Sequence, residues 1–147
     1  MYLNLPCRST SNLQVISTYN AQALPTFNSK RDEFVHWNDK LTNVLSRIHP
    51  GSRELLKTFN ADWAKDANES KTQKDIFDKV PQAVRDDLES KSDMSIKEYF
   101  AKLSEDLFYV LVEKTSGEAA AKVKAVDPGE GLLAYHRVYW WFVKTSG

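Results

Sequence analysis

The chain has 147 residues, 41% of them hydrophobic and 12% aromatic, which is enough to bury one sizeable core and predicts one domain. Basic and acidic side chains balance at 20 each. No segment is one-signed: residues 1–49 carry five basic and three acidic side chains, 50–106 carry ten and thirteen, and 107–147 carry five and four. Net charge therefore offers no long-range attraction to a phosphate backbone or an acidic membrane. Cys7 is the single cysteine, which excludes an internal disulfide and a multi-cysteine zinc site. No run approaches the roughly 18 apolar residues of a membrane span, and MYLNLPCRST lacks the charged and apolar blocks of a signal peptide. The expectation is a cytoplasmic protein with no membrane partner.

Residues 1–28 form a polar arm with one charge, Arg8, and two prolines, Pro6 and Pro25; Leu13, Val15, Ile16 and Tyr19 are its candidates for docking. A helical domain is expected over 29–147. Ser29 and Asp32 read as a capping box, and Phe34, Trp37, Leu41, Val44, Leu45 and Ile48 recur at helical spacing behind them. His49, Pro50 and Gly51 end that helix, because proline disfavours helix in the residue before it. Ser52 opens a second helix with a stripe of Leu55, Leu56, Phe59 and Trp63. Thr72 and Asp75 make another capping pattern, and Pro81 starts a fresh helix whose buried pair is Val84 and Leu88.

Ser92, Asp93 and Ser95 offer N-caps to a long helix through Ile96, Tyr99, Phe100, Leu103, Leu107, Val110 and Leu111. The uninterrupted run Leu107–Val112 predicts a helix end with no solvated face. Ser116 and Gly117 break it and cap a short alanine helix facing inward through Ala119, Val123 and Val126. After the DPGEG turn, the last helix is apolar on more than one side. Leu132, Tyr135, Tyr139 and Phe142 form one stripe, while Leu133, Trp140 and Trp141 lie elsewhere. The predicted fold is an irregular or orthogonal all-α bundle of five to seven helices, with Phe34, Trp37, Leu41, Phe100, Leu103, Leu107 and Leu111 in its core.

Chemistry is sparse. His36, His49 and His136 sit in different segments without a second ligand at metal spacing, so no metal and no cofactor are expected. His36 reads as a helix-surface residue and His136 as a packed imidazole. The neighbours Asp86 and Asp87, and Glu105 and Asp106, diverge by about 100° on a helix and read as solvated faces. There is no phosphate loop and no nucleophile elbow. Tyr135, His136, Arg137, Tyr139, Trp140, Trp141 and Lys144 could interleave stacking rings with cations, but Trp140 and Trp141 run directly into Phe142 and Val143, which favours helix packing.

Two stretches, LPTFNSKRDEFVHWNDKLTNVL (24–45) and LFYVLVEKTSGEAAAKVKAVDPGEGLLAYHRVYWWF (107–142), resemble the Gag polypeptide of copia-type LTR retrotransposons. Phe27, Phe34 and Trp37 match its first aromatic motif. Gly117, Glu118 and Ala119 match its later GEA step, and Ala134 and Tyr135 its following helix, with tyrosine where the family usually has tryptophan. The resemblance implies a capsid-like helical domain with no catalytic residues that associates with itself. The family's zinc knuckle is missing, which implies RNA binding that is weak or carried by missing downstream modules. The family's helical region continues past Phe142, so a truncated copy is expected, with Tyr139, Trp140 and Trp141 left to mediate self-association and Trp141 favoured. The alternative is a helical protein–protein adaptor, a domesticated or degenerate Gag remnant; an enzyme has no positive feature.

Overall fold

The computed structural model describes residues 24–65 and 72–144. Leu13, Val15, Ile16 and Tyr19 lie outside the described residues. Among the described residues seven α-helices follow one another: α1 Phe34–Ile48, α2 Ser52–Lys65, α3 Gln73–Asp78, α4 Gln82–Ser92, α5 Ile96–Lys114, α6 Glu118–Lys124 and α7 Gly131–Tyr139. A 3-10 turn at Arg31–Glu33 precedes α1, and a wider π turn at Trp140–Lys144 follows α7. The architecture is an all-α bundle arranged on α5, which packs against α4, α6 and α7, while α1 packs on α2.

Periodicity accounts for the buried faces. Phe34, Trp37, Leu41, Val44 and Leu45 of α1 and Leu55, Leu56, Phe59 and Trp63 of α2 are all buried, as their spacing predicts. The core expected from sequence is present in full: Phe34, Trp37, Leu41, Phe100, Leu103, Leu107 and Leu111 are each at most 5% exposed. Ala119, Val123 and Val126 face inward from α6 and the residues after it. Of the pair expected in α4, Leu88 is buried and Val84 only partly so.

The helix ends follow local chemistry in two places and depart from it in one. Thr72 accepts from Asp75 N while the Asp75 carboxylate accepts from Thr72 N, the predicted capping box of α3. Ser95 caps α5 by accepting from Glu98 N, and Asp93, in the left-handed region at φ 57°, closes α4. Ser29, however, does not cap α1. That helix grows out of the 3-10 turn with no side-chain cap at Glu33. The Ser29 hydroxyl instead donates to Ser116 O at 2.6 Å and accepts from Ala119 N at 2.9 Å.

The run Leu107–Val112 also has a solvated side. Leu107, Phe108, Val110 and Leu111 are buried, yet Tyr109 and Val112, three residues apart on one helix face, are 42% and 39% exposed. Burial of α5 therefore comes from neighbours on part of its circumference, and the unbroken apolar run covers an outward strip as well. By contrast α7 is enclosed: Leu132, Leu133, Ala134, Tyr135, His136 and Val138 are all buried. No helix among the described residues is long and apolar enough to cross a membrane.

Close approach makes this enclosure possible. A Cβ added at Gly131 would stand 2.0 Å from Ser104 O and 2.4 Å from Phe108 N, so the start of α7 touches the backbone of α5. Replacing Gly131 with Ala should destabilise the bundle by at least about 3 kcal/mol, the upper end of overpacking costs, because fixed backbone must move. Leu107→Ala should lose about 2 to 5 kcal/mol. Urea denaturation followed by far-UV circular dichroism measures both; a loss below about 0.5 kcal/mol at either site would show that the α5–α7 contact is not where stability resides.

Candidate functional site

Residues 24–29 carry the chain into the bundle. Phe27 N donates to Lys114 O at 2.8 Å and Ser116 N donates to Phe27 O at 3.0 Å, pinning this segment along the exit of α5. Its ring stacks on Trp37 at 5.2 Å and meets Phe34 and Phe142 edge-on at 5.4 and 4.9 Å. Trp37 Nε1 donates to Pro25 O at 2.7 Å, which fixes the indole against the incoming strand of chain. An aromatic knot thus joins the N-terminal segment, α1 and the π turn.

The GEA step sits beside it. Gly117 has φ 69° and ψ −137°, a backbone conformation closed to ordinary side chains, and the site of its absent Cβ is 3.3 Å from Ser29 Oγ. Ala119 is fully buried, while Glu118 stands exposed in the first turn of α6, where the helix dipole favours an anion. Ser29 thereby caps α6 across the fold. Tyr135 is fully buried; its hydroxyl donates to Asn38 Oδ1 and accepts from Asn60 Nδ2 at 3.1 Å, tying α7 to α1 and α2. Burial pushes the Tyr135 phenol well above its ordinary range, against the two asparagine hydrogen bonds, so it acts as a neutral donor.

The structure therefore brings Phe27, Trp37, Gly117 and Ala119 to one corner, leaves Glu118 on its rim and puts Tyr135 in the adjoining core. Of the aromatic residues after it, Tyr139, Trp140 and Trp141 are half-buried rather than open, and Phe142 is buried. Tyr139 packs edge-on to Phe34 at 6.0 Å and tilted to Trp63 at 5.9 Å, and burial raises its phenol pKa. Trp140 is half-buried, with an Nε1 that has no hydrogen-bond partner among the described residues. Trp141 carries the Lys122 ammonium 4.1 Å and the Arg31 guanidinium 5.4 Å from its ring centroid, and Arg31 donates to Trp141 O at 2.8 Å.

Asp106 corrects the solvated-face reading. It is 1% exposed, and His49 Nε2 donates to its Oδ2 at 2.7 Å, so a buried pair joins the α1–α2 corner to α5. The Tyr99 ring lies edge-on to His49 at 6.1 Å and its hydroxyl donates to Pro50 O at 2.9 Å. Burial, with the Glu54 and Asp87 carboxylates nearby, raises the Tyr99 phenol pKa. His136 packs edge-on to Trp63 at 4.3 Å, and His36 is exposed, as their sequence context implies. Among the described residues no group of three or more His, Cys, Asp or Glu side chains could hold a metal ion.

Periodicity could not reveal the His49–Asp106 pair, because its partners are 57 residues apart and each sits next to a residue that explains it otherwise: Pro50 as a helix stop, Glu105 as a solvated acid. Comparison with protein-family models, with curated proteins and with solved structures finds no match to this chain.

Removing one member of the buried pair strands the other. His49→Ala should cost about 3 to 5 kcal/mol in chemical denaturation. Ser29→Ala removes a cap and should cost about 1 kcal/mol. If His49→Ala costs less than Ser29→Ala, water reaches Asp106 and the pair is not structural.

Proposed function

We propose that this chain is a non-catalytic, Gag-like structural module of the copia type that associates with copies of itself in the cytoplasm. One observation carries the reading: of the residues on which the resemblance rests, Phe27, Phe34, Trp37, Gly117 and Ala119 meet at one corner of an all-α bundle. Phe27 stacks on Trp37 at 5.2 Å, and the residue two positions after Phe27 caps the GEA helix at Ala119. Motif positions that meet in space are what a shared fold requires, and their contact supports the reading.

Self-association needs a surface, and two candidates stand out. Trp140 and Trp141 are half-buried at the end of α7, and Tyr109 and Val112 form an exposed apolar step on α5. The α5 step is equally open to the second reading, an adaptor that docks a different protein, because an outward apolar strip serves either partner. RNA binding on its own is weak in this proposal, since a chain with no net charge releases few counterions on binding.

Sedimentation velocity over a concentration series on the parent, Trp140→Ser, Trp141→Ser and a Tyr109→Ser, Val112→Ser double variant tests the assignment. The expected outcome is a parent that self-associates below about 100 μM, weakened by at least one of these changes. A parent that remains monomeric at that concentration removes the capsid-type reading and leaves the adaptor. Filter binding at about 150 mM salt should give an RNA dissociation constant no tighter than about 1 μM, the regime of non-specific binders; a tighter one would make the aromatic-basic end of α7 a nucleic-acid surface.

A further inference from the structure

Between α3 and the first half of α5 lies a cleft of about 420 Å³, within the range of roughly 300 to 1,000 Å³ typical of small-molecule sites. Its floor is apolar. Phe77 and Phe100 meet edge-on at 4.8 Å, and exposed Ala101 continues the floor along α5. These rings are held in place before any ligand arrives. Arg85 covers Phe77 with its guanidinium 4.5 Å from the ring centroid and is anchored by donating to Val80 O at 3.0 Å and Phe77 O at 3.1 Å. Phe100 is braced from behind by Phe59, edge-on at 6.3 Å.

The rim supplies donors. Lys74 is already bonded to Asp78 at 2.7 Å, which neutralises that pair. Lys97 also lines the cleft, is exposed, and makes no ion pair with any carboxylate of the described residues. Gln73 closes the opposite end of the cleft, its Oε1 accepting from the Ser104 hydroxyl at 2.6 Å, seven residues or about 10 Å along α5 from Lys97. The cleft thus presents an apolar floor and, at one end, one uncompensated positive charge. The complementary ligand has an apolar body and a single negative head.

We propose that the α3–α5 cleft binds an apolar monocarboxylate of the fatty-acid type, its chain across Phe77 and Phe100 and its carboxylate against Lys97. The corner around Phe27, the end of α7 and the Tyr109–Val112 step of α5 contribute no residue to its lining.

The test uses the whole chain, with decanoate as probe and decanol as its uncharged counterpart, followed by amide chemical shifts below micelle-forming concentrations. Decanoate should shift the amides of Phe77, Lys97, Phe100 and Ala101 saturably. Decanol should bind about two- to five-fold more weakly, the factor a single exposed charge pair supplies. Lys97→Glu, a change at an exposed position, should lower decanoate affinity by at least that factor and abolish the preference over decanol. Ala101→Trp, which fills the cleft from an exposed helix position, should remove the shifts while circular dichroism stays as in the parent. Shifts centred elsewhere, no saturable shift up to about 1 mM, or equal affinity for decanoate and decanol would each overturn the proposal.

Discussion

The bundle depends on the meeting of α7 with α5 at Gly131. Any side chain there would place a carbon 2.0 Å from the Ser104 carbonyl oxygen, so the two backbones are in direct contact. The same serine serves the helix that approaches it. Leu132 N, one of the amides left without an intrahelical partner at a helix start, donates to Ser104 Oγ at 3.2 Å. The hydroxyl proton has two acceptors in range, Gln73 Oε1 at 2.6 Å and Gly129 O at 3.1 Å. One buried serine therefore positions α3, the turn before α7 and α7 itself on α5. Only with the backbones this close can Leu132, Ala134, Tyr135 and Val138 reach complete burial at once.

A second constraint closes the structure from the other end. Thr72 and Ser95 cap helices that begin next to them, interactions available to an isolated segment. Ser29 caps a helix 90 residues away. The α6 helix has seven residues and a glycine at its N-cap with no side-chain bond of its own, too short to persist in water without tertiary support. Its N-terminal donor is satisfied only once the Phe27 segment has docked. The described part of the expected arm is thus a core component: Leu24 and Phe27 are 1% and 2% exposed.

What could be read from the sequence was whatever is periodic or local. The stripes of α1 and α2, the interior of α5, the inward side of α6 and the capping box at Thr72 depend on residues within a turn or two of each other, and they stand as expected. What could not be read depends on long-range closure. Ser29 and Asp32 have the spacing of a capping box, but Ser29 adopts φ 66° and turns to the α5–α6 corner, where two backbone groups compete for it more effectively. Gly131 reads as the last residue of a turn and is the first residue of a helix, present because the position has no room for a carbon. Asp106 reads as one of two neighbouring acids on a wet face, yet only Glu105 keeps partial contact with water. In each case the local signal was genuine and the tertiary partner decided the outcome.

The same distinction bears on the aromatic end of the chain. Spacing of about 100° per residue sends Trp140 and Trp141 to different sides of an α-helix, but α7 stops at Tyr139 and the π turn that follows changes the phase of everything after it. Phe142 is returned to the core against Phe27 and Phe34, at 4.9 and 5.7 Å. Trp141 is drawn under Arg31 and Lys122, two cations from different elements. Each such contact contributes about 0.5 to 1 kcal/mol at a partly exposed site. A second molecule using the Trp141 ring would have to displace them, whereas among the described residues no cation lies over Trp140 or over Tyr109, which with Val112 offers exposed apolar surface. Association through Trp141 therefore starts from a deficit that the other two surfaces do not carry.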